Sequence, residues 1–184
     1  MANLITLARM ALIIPFIVAF LANAEWNMTA ALAIFIIASL TDFLDGWVAR
    51  ARGETSALGA ALDPIADKLL IAAAFILLVR NGVIVGAGVI AVIIIILREL
   101  LVSGLREALS AQQKTLAVTT LAKWKTTAQL VAAGLLLAAA PTGIIGEPVR
   151  PAASAALWIA TVMTFWTGAE YSLRAATLLR APQH

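Results

Sequence analysis

Apolar residues run along this chain in six long blocks, at about 4–22, 28–50, 57–79, 83–107, 124–140 and 152–178. Short polar or Pro/Gly-rich breaks divide them: NAEWN, ARGET, RNG, SAQQKTLAVTT and PTGIIGEPVRP. Each block is close to the roughly 20 residues that a helix needs to cross the ~30 Å hydrocarbon core of a bilayer. The blocks are continuous rather than alternating, which argues against half-buried strands. An open sheet edge facing lipid would also leave backbone groups unsatisfied. The pattern predicts an all-α integral membrane protein with six transmembrane helices. These form a single domain, residues 1–184, without internal repeats or low-complexity tracts.

Composition agrees with the bilayer as solvent. Hydrophobic residues make up 62% of the chain and charged residues 12%, against roughly 45–50% apolar content in a soluble domain. The absence of cysteine excludes disulfides, thiolate metal sites and cysteine nucleophiles. The single histidine, His184, is the last residue, so histidine-based catalysis is not expected. The net charge of +3 is small, and no nucleic-acid partner is expected.

The distribution of charge says more than its sum. With the N-terminus in the cytoplasm, eleven cations fall at or near the cytoplasmic side: Arg9, Arg50, Arg52, Lys68, Arg98, Arg106, Lys114, Lys123, Lys125, Arg174 and Arg180. Only Arg80 and Arg150 fall on the far side. This bias orients the protein, with both termini inside. Trp26 and Trp158 lie near span ends, where aromatic belts are expected. The stretch Ala22-Asn23-Ala24 has the small-residue spacing of a signal-peptide cleavage site, but no Lys or Arg precedes the apolar run and Arg9 interrupts it. The segment is read as a retained span.

Four aspartates stand out in this apolar setting. Asp42 and Asp45 are spaced i, i+3 at the end of the second span, and Asp63 and Asp67 are spaced i, i+4 at the start of the third. Each pair therefore shares one face of its helix. A short turn around Arg52-Gly53-Glu54 makes the two helices antiparallel and brings both pairs to one depth. Four uncompensated carboxylates there would repel strongly and be costly in a membrane. Bound cations resolve this, and an all-carboxylate set suits hard ions such as Mg²⁺, Mn²⁺ or Ca²⁺. Two such ions can clamp both oxygens of a phosphoryl displacement. Gly46, Ala49, Gly59 and Ala66 leave room for a ligand, Arg50 and Arg52 add positive charge at that level, and Pro64 removes a backbone hydrogen bond and is expected to kink the helix beside the carboxylates.

Written as spacing, the stretch is Asp42-x2-Asp45-Gly46-x2-Ala49-Arg50-x8-Gly59-x3-Asp63-x3-Asp67. It resembles, without departure, the signature of the CDP-alcohol phosphatidyltransferases. The segments NLITLAR at 3–9, LRELLVSGLRE at 97–107 and AKWKTTAQ at 122–129 look like those of the branch that makes phosphatidylglycerophosphate, so the likeness covers most of the chain. The resemblance implies a six-span enzyme of the cell inner membrane with a cytoplasmic site. Such an enzyme moves the phosphatidyl group of CDP-diacylglycerol to an alcohol and releases CMP. It further implies that Asp42, Asp45 and Asp63 hold two divalent cations, Mg²⁺ or Mn²⁺, and that Asp67 is the general base with a further metal contact. Gly46, Ala49 and Gly59 would line the nucleotide pocket, Arg50 would face the diphosphate, and Thr6 and Arg9 would border the nucleotide. A homodimer is expected.

A glycerol 3-phosphate acceptor brings a second phosphate that needs cations of its own. Candidates are Arg106, Lys123 and Lys125, with Thr126 as a hydroxyl donor and Arg98 from a neighbouring span. Arg174 and Arg180 read as anchors to anionic headgroups. Arg98 and Glu99 are sequence neighbours that do not face each other on a helix, so each is expected to find its partner on another span. The alternative within this chemistry is a sister transferase using inositol phosphate, serine or a phospholipid. From another class, a cation-coupled transporter would show repeats or interrupted midplane helices.

Overall fold

The structure is a computed structural model. It describes the backbone of residues 2–52, 57–117 and 119–180, and the side chains of residues 8–41, 65–66, 68–117 and 119–180. Six α-helices occupy these residues: α1 (Ala2–Leu21), α2 (Asn27–Arg52), α3 (Ala57–Arg80), α4 (Ala87–Ala111), α5 (Thr120–Ala138) and α6 (Arg150–Arg180). A 3-10 turn, Glu147–Val149, leads into α6, and no strand occurs among the described residues.

The helices coincide with the six apolar blocks, and turn chemistry sets their ends. At the end of α3, Gly82 takes φ 69°, a left-handed conformation that glycine adopts without steric cost. This lets the N–H of Gly82 and of Val83 bond back to the carbonyls of Val79 and Leu78, satisfying the terminal groups of the helix. α4 starts at Ala87, later than the apolar run suggests, because residues 82–86 are spent on that turn. α5 starts at Thr120, earlier than its apolar run, because the Thr119 side chain caps the N–H of Ala122 at 3.3 Å.

Helix α6 packs mainly against α5 and α4, and α1 packs against α2 and α3. α5 bridges the two groups by touching both α2 and α3. The core between them is built from Phe16, Phe20, Phe35, Phe75, Leu78 and Leu137, all buried. Phe16 lies edge-on to Phe20, with ring centroids 5.9 Å apart. Alanines fill the helix contacts, among them Ala31, Ala74, Ala132, Ala133, Ala153 and Ala160. Small residues let backbones approach closely, the usual basis of helix packing in lipid. Large apolar side chains face outward instead: Ile14, Phe165, Trp166 and Leu173 are all at least 65% exposed. A water-soluble bundle would hide them.

Contacts between loops define two ends. At one end Thr29 donates to the carbonyl of Thr142 at 3.2 Å, and Arg150 reaches the carbonyl of Val83 at 3.5 Å. At the other, Lys114 donates to the carbonyl of Leu178 at 2.7 Å, and Lys68 donates to Ser103. Consecutive helices thus alternate in direction. Of the two sequence-assigned far-side cations, Arg150 sits at the first end and Arg80 closes α3 beside it. Two helical segments are long and apolar enough to cross a membrane on their described residues alone, Ala87–Ala111 and Glu147–Arg180.

Candidate active site

The polar centre of the described bundle lies where α4, α5 and α6 meet. α4 supplies Arg98, Glu99, Ser103 and Arg106. α5 supplies Lys125 and Gln129, one turn apart, and α6 supplies Thr164, Thr167 and Tyr171 on its inner face. A single oxygen, Glu99 Oε1, accepts from three donors: Arg98 Nη1 at 3.2 Å, Lys125 Nζ, and Gln129 Nε2 at 3.3 Å. Gln129 Nε2 also donates to Thr164 Oγ1 at 2.9 Å, and Arg98 Nη2 donates to Thr167 Oγ1 at 3.1 Å.

The expectation that Arg98 and Glu99 do not meet is corrected. Adjacent residues point about 100° apart on a helix, yet the arginine stem is long enough to turn its guanidinium back to the neighbouring carboxylate. Each also has a partner on another span, as the sequence suggested: Lys125 for Glu99, and Thr167 for Arg98.

Two structural details hold Arg98 in place. Gly168 presses against its stem, and a Cβ added there would lie 2.7 Å from Arg98 Cγ. On the other side the Arg98 guanidinium stacks on Tyr171, its Cζ 5.6 Å from the ring centroid. Arg106 stacks on the same ring at 5.3 Å. The Tyr171 hydroxyl accepts from the N–H of Thr119 at 2.9 Å and donates to the carbonyl of Ala117 at 3.2 Å.

Among the described residues the charge balance of this centre is uneven. Arg98 and Lys125 are both more than nine-tenths buried and share one carboxylate, and Arg106 adds a third cation on the ring. Buried charges are tolerated when paired. A cationic excess of this kind is suited to an anionic ligand, because guanidinium and ammonium donors match phosphate oxygens. A groove of about 260 Å³ between α3 and α4 reaches the same centre, lined by Lys68, Glu99 and Ser103 among apolar side chains. Ser103 donates to the Glu99 carbonyl at 2.7 Å, so Lys68, Ser103 and Glu99 form a chain from α3 into the cluster.

The sequence-derived site residues fall into three groups. Arg98, Arg106 and Lys125 come together as described. Lys123 is exposed, on another face of α5 from Lys125, and Thr126 is half-buried one position beyond it. Arg9 is buried in α1, at 1% exposure. The backbone of α2 carries Asp42, Asp45, Gly46, Ala49 and Arg50, and that of α3 carries Gly59, Asp63 and Asp67. Their side chains, and that of Thr6, lie outside the described residues. Among the described residues no three acidic or histidine side chains cluster.

Sequence reasoning missed Gln129, Thr164, Thr167, Gly168 and Tyr171 as members of the centre. The signal was present as spacing. Gln129 lies four residues after Lys125, and Thr164, Thr167, Gly168 and Tyr171 recur at i, i+3, i+4, i+7 along an otherwise apolar helix.

A family model described as CDP-alcohol phosphatidyltransferase matches residues 1–166. Several relatives carry the name CDP-diacylglycerol–glycerol-3-phosphate 3-phosphatidyltransferase. The one from Bacillus subtilis is 40% identical, over 92% of this chain and 91% of its own. That from Haemophilus influenzae is 37% identical, over 91% and 88% respectively. That from Cereibacter sphaeroides is 35% identical, over 86% of each chain.

Proposed function

The chain belongs to the CDP-alcohol phosphatidyltransferase family, and on that premise we propose that it makes phosphatidylglycerophosphate. It transfers the phosphatidyl group of CDP-diacylglycerol to glycerol 3-phosphate and releases CMP. The observation that supports the choice of acceptor is the cationic excess among the described residues: buried Arg98 and Lys125 share the Glu99 carboxylate, and half-buried Arg106 lies on the Tyr171 ring beside them. An acceptor with its own phosphate supplies the missing anion, whereas a neutral alcohol leaves the excess uncompensated.

The donor side belongs to α2 and α3. Helical backbone at 42–45 and 63–67 puts each aspartate pair on one helix face. The donor set fits the expected ions, since carboxylate oxygens alone suit Mg²⁺ or Mn²⁺. Asp42, Asp45, Asp63 and Asp67 would hold them. Bound there, two such ions would supply Lewis-acid stabilisation of charge on the diphosphate. Arg50, with Gly46, Ala49 and Gly59 beside it, would face the diphosphate and nucleotide, and Thr6 and Arg9 would border them.

In the reaction a hydroxyl oxygen of glycerol 3-phosphate bonds to the phosphatidyl phosphorus. The bond from that phosphorus to the CMP oxygen breaks, and the hydroxyl proton passes to Asp67. A carboxylate is a weak base, so catalysis rests on placement of the hydroxyl. Holding the acceptor phosphate at Arg98, Arg106 and Lys125, with Thr126 next to Lys125 on α5, provides that placement; Lys123, on another face, would act only at a distance. The protein would lie in the cell inner membrane as six spans, with site and termini cytoplasmic, and would act as a homodimer.

The test is CMP release by detergent-purified protein given CDP-diacylglycerol and Mg²⁺, with glycerol 3-phosphate, inositol phosphate, inositol or serine in separate reactions. Release with glycerol 3-phosphate alone, lost on adding EDTA, is expected. Release with another acceptor would overturn the acceptor assignment.

A further inference from the structure

We propose that Tyr171 is a positioning residue whose ring fixes Arg98 and Arg106 as one cationic pair for the acceptor phosphate. The proposal rests on the acceptor reading above and adds to it a residue that the sequence did not single out.

Tyr171 is the only tyrosine in the chain and is fully buried. A buried phenol needs partners for its hydroxyl, and here both are backbone groups of the segment joining α4 to α5, at Thr119 and Ala117. The ring is thereby pinned at its polar tip, while its body is shared by two guanidinium groups. Arg98 and Arg106 are eight residues apart on α4, roughly 12 Å along the helix axis at ~1.5 Å per residue. Helix geometry alone does not bring their charged ends together, and the ring is the contact they have in common.

An aromatic ring attracts cations through its quadrupole, and more strongly away from water. Unlike a carboxylate, it carries no net charge. The contrast with Glu99 shows what this achieves: Glu99 pairs with Lys125 and Arg98 and would compete with an incoming phosphate, whereas Tyr171 orients two guanidinium groups without adding a negative charge of its own. The Nε atoms of both arginines are buried without a hydrogen-bond partner among the described residues. The Arg106 guanidinium is held by Tyr171 at two places, the ring face and the hydroxyl. Gly168, one turn before Tyr171, admits the Arg98 stem to this position.

The experiment measures initial rates of CMP release by purified protein with Mg²⁺, varying glycerol 3-phosphate and CDP-diacylglycerol in turn. The proteins are wild type, Tyr171→Phe, Tyr171→Leu and Tyr171→Met, with Ki for inorganic phosphate as a second readout. Phenylalanine keeps the ring and loses both hydroxyl bonds. Leucine and methionine lose the ring, and methionine fills space more flexibly should leucine fail to fold. The expected result is that Tyr171→Phe keeps KM for glycerol 3-phosphate within about threefold of wild type. Tyr171→Leu or Tyr171→Met raises that KM and the phosphate Ki by about tenfold or more, with KM for CDP-diacylglycerol changed far less. Equal effects of phenylalanine and leucine, or parallel rises in both KM values, overturn the ring's role while leaving the acceptor reading intact. Wild-type release that does not depend on glycerol 3-phosphate overturns the acceptor reading and this proposal with it.

Discussion

Lys123 and Lys125 are two positions apart in one motif, and the helix separates their fates. Lys125 turns inward to Glu99, and Lys123 faces out. Replacing Lys125 with Met removes a buried cation and leaves the Glu99 charge short of a partner, a loss on the order of 3 kcal/mol. KM for glycerol 3-phosphate is expected to rise at least about tenfold, and the thermal midpoint in detergent to fall. Lys123→Ala is expected to change the same KM by no more than about threefold, because an exposed cation is screened. Equal effects of the two, in steady-state kinetics, would return both lysines to one role. On the donor side, Asp67→Asn keeps size and loses basicity. It should abolish CMP release while donor binding, followed by isothermal titration with CDP-diacylglycerol in detergent, persists. Near wild-type turnover would remove Asp67 as the base.

At the scale of the helix, α6 shows how an apolar segment carries function on one face. Thr161, Thr164, Thr167, Gly168 and Tyr171 are buried, while Val162, Phe165, Trp166 and Leu173 point outward. The threonines satisfy their hydroxyls on the helix itself, Thr161 to the carbonyl of Leu157 at 2.7 Å and Thr167 to that of Met163 at 2.8 Å. Thr164 and Thr167 remain acceptors for Gln129 and Arg98. Gly168→Ala tests this face. The added Cβ meets the Arg98 stem rather than a loose chain end, so overpacking of about 1–3 kcal/mol is expected. The variant should lose affinity for glycerol 3-phosphate more than for CDP-diacylglycerol, and Arg98→Ala, which removes the clashing Cγ, should partly restore folding in the double variant. The six helices themselves were legible in the sequence because bilayer-length apolar runs have few alternative structures. Their ends were less so, since Gly82 and Thr119 act through local hydrogen bonds that hydropathy does not register. The aspartate pairs were legible because both partners of each lie on one helix, at a spacing fixed by its pitch. The cluster of Glu99, Gln129, Thr167 and Tyr171 was not, because it depends on which faces of α4, α5 and α6 meet.

For the whole molecule, the decisive question is which end faces the cytosol. Both reactants present charged phosphates, and neither headgroup crosses a bilayer unaided. A biosynthetic site must therefore open to the side where nucleotide-activated lipid and acceptor are found. The polar chain from Lys68 through Ser103 and Glu99, and the loop carrying Thr119, lie toward the end where Lys114 meets Leu178. The opposite end holds Arg150 and the loop containing Val83. With that end in the cytosol, the positive-inside bias and the proposed chemistry would both be met. Because the chain has no cysteine, single cysteines can report it without background. Asn81→Cys and Ile144→Cys, at exposed positions of one end, are expected to react with an impermeant maleimide in right-side-out spheroplasts. Gln112→Cys and Ala176→Cys, exposed at the other, are expected to react only after lysis. The reverse pattern would place the site outside and break the link between charge bias and chemistry. Labelling of all four from both sides would show that the bundle does not cross the membrane as a six-span unit. Labelling as expected, in protein that also needs Mg²⁺ and glycerol 3-phosphate for CMP release, would put the aspartate helices and the cationic cluster at one cytosolic surface. A lipid-borne diphosphate and a soluble phosphate can meet only at such a surface.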